Sequence, residues 1–448
     1  MSGLYTDLYE LRMAASYLHR GMTGLATFSL FARRLPPQRG FLVAAGLEDA
    51  LSFLEGFGFG NTEIDYLRDV VDLDAESLAT LQETHFTGEV WAVPEGRIVF
   101  AGEPLLEVTA PIAEAQLVET ALLNLITFQT TIASKAARCW IAAQGAELVD
   151  FAFRRTHGLE AAIGVARASA IAGFTGTSNV EAARRYGLRP VGTMAHSFIE
   201  AYADERAAFR AFAGDFPGNA IFLVDTYDTL GGVQAAIDVI NELGLSGPVG
   251  IRLDSGDLDS LARSARRMLD DVGLGRARIV ASGGLDETDI ARLVDRGAPI
   301  DIYGVGTRMG VSADAPSLDS AYKLVEFEHR PVMKLSEGKA TDPGAKQVFR
   351  FSSAEAGDLL TLRREPAPPG CEPLLEPVMR DGRRVRDVDP GKEVTDARAR
   401  FAADLAWLPD EARRLTDPAT VPVRRSEQLA ALRRQIAGQL ARGRPPSA

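Results

Sequence analysis

Cysteine is scarce in this sequence: Cys139 and Cys371 are the only two among 448 residues. Two cysteines so far apart exclude a disulfide framework and a cysteine-based metal site. No stretch approaches the roughly 18 uninterrupted apolar residues of a membrane helix, and the first residues lack a basic region followed by an apolar run. We therefore expect an unexported, cytoplasmic protein without a membrane partner.

An excess of basic residues is also missing. The chain has 61 acidic and 49 basic side chains, a net charge of −12, and the acidic residues are spread along its length. This balance argues against a nucleic-acid or membrane-surface partner, although a locally basic pocket for a small polyanionic substrate remains open. With 46% hydrophobic residues the chain has enough apolar material for two domains, one of them an α/β barrel.

Short apolar strands alternate with helices through the middle of the chain. The seven predicted strands cover residues 148–153, 173–177, 191–195, 220–224, 249–253, 279–281 and 302–305. Helices of about 10–16 residues between short strands are typical of a parallel sheet. Because the strands are apolar on both faces, we expect helices to cover both faces, as in a β/α barrel. A doubly wound open sheet is the alternative.

The flanking regions have different patterns. Residues 6–19 predict a helix capped by Thr6 or Asp7, and residues 88–110 predict a hairpin-rich β segment. Residues 113–143 are too long for one typical helix and predict two helices or a kinked one. Beyond residue 310 the βα alternation stops.

A polar run follows each predicted strand. These runs are residues 154–158, 175–179, 192–197, 225–228, 254–257, 282–284 and 304–308. Any one of them is open to interpretation as a solvated loop. Together they favour an active site at the carboxyl edge of the sheet, where barrel enzymes assemble theirs from several loops.

His196 lies in one of these runs, at a predicted strand-to-helix junction. Helix N-termini at such junctions present unpaired N–H groups to ligands. A satisfied structural histidine is the alternative interpretation of the residue alone.

The last two runs are rich in glycine, at residues 282–284 and 304–307, which lets backbone N–H groups approach a phosphate. Neither a dinucleotide fingerprint nor a P-loop lysine motif is present. We therefore expect the phosphate to belong to a substrate. Lysine is scarce at the strand ends, which weighs against Schiff-base chemistry.

Charged side chains at the other strand ends leave two interpretations open. Asp225, Asp228, Asp254 and Asp257 are suited to bind ribose hydroxyls or Mg²⁺ through water, but they also suit plain helix caps. If the first strand continues to residue 153 and beyond, only one of Arg154 and Arg155 can face the sheet interior and bind a carboxylate or phosphate.

Motifs along the chain resemble those of the nicotinate phosphoribosyltransferase family, in its order. They are TDLY at 6–9, FARRLP at 31–36, NLITFQ at 124–129, FRR at 153–155, TSNV at 177–180, GTMAHS at 192–197, RLDSGDL at 252–258, YGVGT at 303–307 and PGAKQV at 343–348. One departure is Gly283-Gly284, where many relatives have a polar Asn or Asp.

The resemblance implies an enzyme that joins nicotinate to 5-phosphoribosyl-1-diphosphate, with Mg²⁺ as cofactor and ATP as co-substrate. It implies an α/β fold, an irregular seven-stranded β/α barrel of the TIM-like type II phosphoribosyltransferase kind with an N-terminal α/β sandwich domain. We divide the chain accordingly into the sandwich domain at 1–145, the catalytic barrel at 146–312, and a segment at 313–448 that completes the sandwich and ends in a helical tail. Sister enzymes for nicotinamide or quinolinate and a catalytically inactive binding paralogue are the alternatives.

The resemblance also implies roles for single residues. His196 would be phosphorylated by ATP, and Thr193 and Arg252 would contact nicotinate. Tyr9 would cover the pyridine ring from a neighbouring subunit, which implies a homodimer with shared active sites. Thr307, Gly304 and Gly306 would hold the 5-phosphate. The remaining candidates for substrate contact are Arg154, Arg155, Ser178, Asp254, Ser255, Gly256, Ser282 and Gly283. No residue is assigned as a metal ligand.

Overall fold

The structure, a computed structural model, describes residues 2–71, 73–336 and 341–442. The chain divides into two compact units, Met1–Ser134 together with Ser317–Ala448, and Lys135–Pro316. The domain boundaries at residues 145 and 312 remain predictions, and residues 443–448 lie outside the described chain. None of the described helices combines the length and apolar character needed to span a bilayer.

The first segment of the discontinuous unit carries helices and strands in nearly equal number. In order they are α1 (Leu8–His19), β1 (Leu25–Ala32), β2 (Leu42–Val43), α2 (Leu47–Glu55), α3 (Asn61–Val70), α4 (Ala75–Glu83), β3 (Glu89–Ala92), β4 (Ile98–Val99), β5 (Pro104–Pro111), α5 (Ile112–Leu117) and α6 (Glu119–Ala143), which continues into the second unit. The predicted break of the long apolar stretch into two helices is confirmed, and it lies at Val118. The predicted helix after Asp7 is also confirmed.

The second unit alternates strands and helices. Its elements are β6 (Glu147–Asp150), α7 (Leu159–Ile171), β7 (Gly176–Thr177), α8 (Val180–Tyr186), α9 (His196–Glu200), α10 (Glu205–Asp215), β8 (Ala220–Leu223), α11 (Thr229–Leu243), β9 (Val249–Leu253), α12 (Leu258–Asp271), β10 (Arg278–Ala281), α13 (Glu287–Asp295), β11 (Ile302–Val305) and α14 (Thr307–Gly310). A 3₁₀ turn, Phe153–Arg155, follows β6.

Six of these strands form one parallel sheet in the order β7-β6-β11-β10-β9-β8. Val149, Val280 and Ile302, from three of the strands, form one apolar cluster against which Phe151 and Ile221 pack. The sheet therefore curls around a common core, and the predicted parallel βα arrangement is confirmed.

The predicted strand at residues 191–195 is wrong. Pro190 makes an isolated bridge to Thr177, and Val191 N donates to the Thr177 carbonyl, but no ladder continues from there. The carbonyl of Met194 instead accepts from the Arg252 side chain. Within the described residues the sheet thus has six strands and stays open between β7 and β8, so a closed seven-stranded barrel is not confirmed.

The remaining segment completes the first unit. Its elements are β12 (Ser320–Phe327), β13 (Arg330–Pro331), β14 (Lys346–Phe351), β15 (Asp358–Leu362), β16 (Cys371–Pro373), β17 (Glu376–Arg380), β18 (Arg383–Arg384), α15 (Pro390–Trp407), β19 (Val423–Arg425) and α16 (Glu427–Ala441). An antiparallel sheet in the order β13-β12-β1-β5-β3-β17-β18 joins strands from both segments, and a four-stranded sheet has the order β16-β14-β15-β19. Helices and sheets share one large apolar core.

A buried arginine ties this unit together. The guanidinium of Arg350 in β14 donates to Asp358 Oδ2 at 2.6 Å, to Asp404 Oδ2 at 2.8 Å and to the Ile98 carbonyl at 2.8 Å. It also lies over the ring of Trp407, 4.4 Å from the ring centroid. Its side chain is 3% exposed. Arg350 is therefore paired on all sides.

Candidate active site

Arg252 forms the centre of the polar cluster at the carboxyl edge of the parallel sheet. Its Nη1 donates to Thr193 Oγ1 at 2.7 Å and to the Met194 carbonyl at 3.2 Å, while Nη2 lies 3.5 Å from Asp254 Oδ1. The side chain is 14% exposed, and its buried Nε has no hydrogen-bond partner among the described residues. Burial lowers the pKa of Arg252, against the opposing effect of Asp254 and Asp225. These neighbours hold the guanidinium in place, while Nε has no hydrogen-bond acceptor among the described residues.

His196 is the first residue of α9, at a helix start as predicted. Its Nδ1 lies 3.1 Å from Thr226 Oγ1, on the loop that follows β8. The imidazole is half-buried. This contact orients the ring and leaves Nε2 as the other reactive nitrogen.

Two aspartates link neighbouring strand ends. Asp225 Oδ2 accepts from Asp254 N at 3.1 Å and from Ser255 Oγ at 2.5 Å, and Asp254 Oδ1 accepts from Ser282 Oγ at 2.5 Å. The other oxygen of Asp225, Oδ1, is buried and has no hydrogen-bond partner in the described chain. These hydrogen bonds therefore connect the loops that follow β8, β9 and β10.

The helix-cap interpretation holds for Asp228, which accepts from Gly231 N at 2.7 Å at the start of α11. Asp257 occupies the corresponding position before α12, but its side chain makes no capping hydrogen bond. Asp286, which sequence analysis passed over, caps α13 and also pairs with Arg308 at 3.0 Å.

Glycine is required at two positions of the predicted phosphate loops. Gly283 has φ +98°, and a Cβ there would lie 1.9 Å from the Asp254 carbonyl oxygen. A Cβ on Gly304 would lie 2.6 Å from the ring of Phe151. Backbone packing in this chain therefore requires glycine at position 283.

Both predicted arginines follow β6 but lie outside it. The strand ends at Asp150, so Arg154 and Arg155 occupy a 3₁₀ turn and the argument that only one can face inward does not apply. Arg155 Nη1 donates to Thr307 Oγ1 at 3.4 Å. Arg154 is close enough to Arg252 to contribute to the lowering of its pKa. The turn thus brings two cations to the edge that carries the glycine loops.

Asp150 is a feature that sequence analysis missed. This carboxylate is 1% exposed, and it accepts from Ala152 N at 2.8 Å and from Thr177 Oγ1 at 2.7 Å. Burial raises the pKa of Asp150 to about 6, against the opposing effect of these hydrogen bonds. The carbonyl of Asp150 accepts from Ser178 N at 2.8 Å, which places Ser178 at the same edge. The sequence feature that could have identified Asp150 is an acidic residue at the end of an apolar strand.

Tyr9 and Gly256 complete the predicted set. Tyr9 belongs to α1 in the discontinuous unit and is 48% exposed, and burial of part of the phenol together with Glu119 and Glu10 raises its pKa. Gly256 has φ +83° in the loop before α12. The structure thus brings the predicted residues of the second unit to one edge, while Tyr9 is described in its own unit.

Known sequences match nearly the whole chain. Residues 4–127 match the nicotinate phosphoribosyltransferase N-terminal domain, residues 146–348 the nicotinate phosphoribosyltransferase family and residues 368–433 its C-terminal domain. The nicotinate phosphoribosyltransferase pncB2 of Mycobacterium tuberculosis is 47% identical over 446 residues, covering 99% of this chain and 94% of the relative. This chain belongs to the nicotinate phosphoribosyltransferase family. A second family member, from Bacillus subtilis, is 44% identical and covers 81% of this chain and 76% of the relative.

Solved structures of similar proteins agree. The crystal structure of human nicotinic acid phosphoribosyltransferase superposes with a TM-score of 0.83 at 30% identity, covering 96% of this chain and 99% of the human one. The nicotinate-nucleotide pyrophosphorylase of Pyrococcus furiosus superposes with a TM-score of 0.75 at 27% identity, covering 91% of this chain and 96% of that one. The α/β fold of the nicotinate phosphoribosyltransferase family therefore extends over 96% of this chain.

The family resemblance implies Mg²⁺, but the described residues do not form a complete set of protein ligands for it. Among the described residues no group of three or more His, Cys, Asp or Glu side chains is placed to hold a metal ion. Mg²⁺ usually keeps several waters and binds one or two carboxylates plus substrate phosphates. Asp225 and Asp254 fit a site with one or two carboxylates, since Asp225 Oδ1 has no hydrogen-bond partner among the described residues.

Proposed function

We propose that this chain is a nicotinate phosphoribosyltransferase that forms nicotinate mononucleotide and diphosphate, and that it couples this reaction to ATP hydrolysis through His196. The observation that carries the proposal is the buried guanidinium of Arg252, which Thr193 holds at 2.7 Å and whose Nε lacks a partner among the described residues. A partly buried cation that still has a free hydrogen-bond donor is best satisfied by an anionic ligand. The family membership supports nicotinate as that anion.

Arg252 would select the acid over the amide. The pyridine carboxylate offers two oxygens to the guanidinium, and charge-assisted hydrogen bonds of this kind contribute about 1.5–3 kcal/mol. Neutral nicotinamide would lose the ionic part of this interaction. Quinolinate carries a second carboxylate and would call for an additional cation.

The glycosyl transfer needs positioning more than an enzyme nucleophile. The ring nitrogen of nicotinate forms a bond to ribose C1 as the bond from C1 to the diphosphate oxygen breaks, so diphosphate departs with the electron pair. Backbone N–H groups at Gly283 and Gly306, together with Arg154 and Arg155, would stabilise the phosphate charges. Thr307, which Arg155 contacts, would hold the 5-phosphate.

Asp225 and Asp254 would hold Mg²⁺ and the ribose hydroxyls at the adjoining strand ends. The ion would offset the charge that develops on the leaving diphosphate. Ser255 and Ser282 keep both carboxylates oriented, since each donates to one of them.

His196 would carry the phosphoryl group of ATP. A neutral ring that donates its Nδ1 proton to Thr226 Oγ1 has its lone pair on Nε2. Nε2 forms a bond to the γ-phosphorus as the bond to the ADP oxygen breaks, and water later releases inorganic phosphate from the ring. The added negative charge would alter the affinity for phosphate-bearing ligands next to it.

A homodimer with shared active sites also belongs to the proposal. Leu8, Tyr9 and Met13 are exposed apolar side chains of α1, at 45%, 48% and 36%, and Tyr5, 63% exposed, lies in the bend before the helix. Exposed apolar side chains of this kind suit an interface between copies. Tyr9 would then reach the pyridine ring of the partner's site.

The closed barrel of the family is proposed for the second unit as well. Residues 191–195, which form no strand, would lie in the gap between β7 and β8. Val191 supports this assignment, because its N–H donates to Thr177 and its side chain packs on the apolar cluster inside the sheet.

Product analysis with purified protein tests the function directly. Nicotinate, nicotinamide or quinolinate is mixed with phosphoribosyl diphosphate and Mg²⁺, with and without ATP. We expect nicotinate mononucleotide from nicotinate, and faster with ATP. Product from nicotinamide or quinolinate at equal or greater efficiency would contradict the proposal.

His196→Asn tests the coupling separately, with His157→Asn, a histidine on the loop after β6, as the matched control. The first variant should lose acid-labile labelling from γ-labelled ATP and lose ATP stimulation, while slow ATP-independent synthesis persists. The second should retain both. Labelling that survives in His196→Asn and vanishes in His157→Asn would reassign the phosphoryl carrier.

A further inference from the structure

A second cavity lies at the opposite, amino end of the parallel sheet. Its volume is about 940 Å³, and its lining includes Glu147, Arg278 and Tyr303, which are at or near the first residues of β6, β10 and β11. Those strands are four residues long, so roughly 10–13 Å of strand separates this cavity from the carboxyl edge. Nothing in the proposed reaction uses it.

One wall of the cavity presents an aromatic surface. Trp140 of α6 is 39% exposed, and a Cβ on Gly173 would lie 2.4 Å from its Cδ1, so the indole rests directly on the Gly173 backbone. Leu148 and Ile300 add apolar side chains to the lining. A planar ring could therefore pack on the indole with apolar neighbours around it.

Tyr303 supplies a hydroxyl to the cavity. The residue lines the cavity, and its hydroxyl makes no hydrogen bond among the described residues. Burial raises the pKa of Tyr303 to about 12, so the hydroxyl remains a donor at neutral pH. The hydroxyl can therefore donate to an acceptor on a ligand in the cavity.

Two arginines converge on one carboxylate at the same end. Arg278 Nη1 lies 2.8 Å from Glu147 Oε2, Arg189 pairs with Glu147 Oε1, and Thr175 Oγ1 donates to Glu147 at 2.7 Å. These three charged groups carry one net positive charge. Asp301, the other acidic residue of the lining, accepts from Ile279 N at 2.7 Å. The arginine side chains are 54% and 40% exposed, so they can still contact a ligand.

We propose that this cavity is a second binding site for a nucleoside monophosphate, with the base on Trp140, the Tyr303 hydroxyl donating to the ribose, and the phosphate at Arg189 and Arg278. Its volume lies in the range of about 300–1,000 Å³ that is usual for small-molecule pockets, larger than inorganic phosphate alone requires. The alternative is that the arginine pair only ties strand ends together. That alternative accounts for Glu147 but leaves the Tyr303 hydroxyl without a hydrogen-bond partner among the described residues.

Fluorine NMR of protein labelled with 5-fluorotryptophan tests the proposal. The chain contains three tryptophans, and Trp140→Phe assigns the resonance of interest. Trp91 and Trp407 belong to the other compact unit and serve as internal controls. Titration with adenosine 5′-monophosphate should move the Trp140 resonance saturably and leave the other two in place.

Two further ligands show which part of the nucleotide the site binds. Nicotinate mononucleotide replaces the purine with a pyridine, and inorganic phosphate removes the base. We expect both nucleotides to move the Trp140 resonance and phosphate alone to bind at least about tenfold more weakly, because it lacks the stacked ring. Equal response to phosphate alone would reduce the site to an anion site and overturn the nucleotide assignment.

Variants separate binding from folding. Tyr303→Phe keeps the ring and should weaken binding about tenfold, and Arg278→Met should weaken it at least as much. Arg267→Met is the matched control and should bind normally, because Arg267 is an exposed arginine of α12 whose hydrogen bond among the described residues goes to Ser264. Arg252→Ala, in the proposed catalytic site, should also leave the Trp140 titration unchanged, so failure of the proposed function would not mimic failure here. A Trp140 resonance that does not respond, or responds equally in Tyr303→Phe, would overturn the proposal.

Discussion

Arg350 and Arg252 are both buried arginines, yet their surroundings differ. Arg350, in the discontinuous unit, meets two carboxylates and a carbonyl within 2.8 Å and lies over an indole ring. Arg252, in the second unit, has one carboxylate at 3.5 Å and an unpartnered Nε in the described chain. Burial opposes the charge of each, but Asp358 and Asp404 raise the pKa of Arg350 overall, whereas that of Arg252 is lowered.

The difference separates structural from ligand-binding charge. A buried ion that the protein pairs completely stabilises the fold and offers nothing to a ligand. A buried ion that the protein pairs only in part is held in position by its neighbours and still lacks an acceptor. We infer that Arg350 serves the fold and that Arg252 serves binding, and the predictions below test this contrast.

The largest expected effect is on stability, at Arg350. Arg350→Met would leave Asp358 and Asp404 buried without their cation, which typically destabilises a protein by about 3–5 kcal/mol. Denaturant unfolding measures the loss. The ratio of nicotinate to nicotinamide use by the folded fraction should not change.

Arg383→Met, at an exposed residue of β18, is the control for removing an arginine from the same unit and should change stability by less than about 0.5 kcal/mol. If Arg350→Met is as stable as this control, the buried network does not hold the unit together.

The second prediction concerns Asp150, a buried carboxylate without the cation that Asp358 has. Its folded pKa of about 6 lies above the ordinary value near 4, so below about pH 4 the group is protonated in both states and has no effect. Between about pH 4 and pH 6 the unfolded chain has lost this proton while the folded chain keeps it, so stability falls by on the order of 2–3 kcal/mol and levels off above about pH 6.

Asp150→Asn removes this titration while keeping an acceptor for Ala152 N. The difference in unfolding free energy, variant minus parent, should therefore become more positive between pH 4 and pH 7. NMR titration of the Asp150 carboxyl carbon measures the pKa directly. A difference that does not depend on pH, or a midpoint near 4, would mean that burial does not perturb this group.

Arg252→Ala should act on binding. We expect loss of the carboxylate partner to weaken nicotinate binding by about 1.5–3 kcal/mol, roughly a 10- to 150-fold rise in the dissociation constant. Selectivity over nicotinamide should shrink with it, while the stability changes by less than about 1 kcal/mol.

Arg252→Lys separates charge from shape, because it keeps the cation and removes the planar fork. It should recover only part of the affinity. Unchanged nicotinate affinity and selectivity in Arg252→Ala would transfer the role to Arg154 and Arg155.

The smallest expected effect is at Tyr9. Tyr9→Ala should impair nicotinate use by roughly 0.5–1.5 kcal/mol if the ring stacks on the pyridine, and Tyr9→Phe should largely restore it. Tyr66→Ala, an exposed tyrosine of α3 in the same unit, is the matched control. Mixing Tyr9→Ala with His196→Ala subunits should regenerate some intact sites, and no gain in ATP-coupled activity after verified subunit exchange would contradict a shared site.

Much of the fold was predictable because periodicity reports burial. The apolar strands of the second unit and the two helices on either side of Val118 were recognised from apolar residues alone. The same reasoning gave a wrong strand at residues 191–195, since an apolar run does not reveal whether a neighbouring strand is there to form a ladder. In the structure the Met194 carbonyl accepts a hydrogen bond from the Arg252 side chain instead.

The candidate site was predictable where residue type and strand position coincided. Arg252 and His196 stand directly at a strand or helix end, so their placement at one edge followed from the parallel arrangement. Asp150 was missed because it was read as part of a strand running to residue 153, and the strand's actual end at Asp150 depends on its buried hydrogen bonds.

The discontinuous unit has a consequence for synthesis on the ribosome. Strand β1 pairs with β5 soon after both emerge, but its other edge waits for β12, with Ala26 opposite Phe327. The whole second unit is translated in between. At about 5–20 residues per second, one edge of a long apolar strand remains open for roughly 10–40 s in every round of synthesis. During that interval the unpaired backbone groups of this edge are open to pairing with another chain.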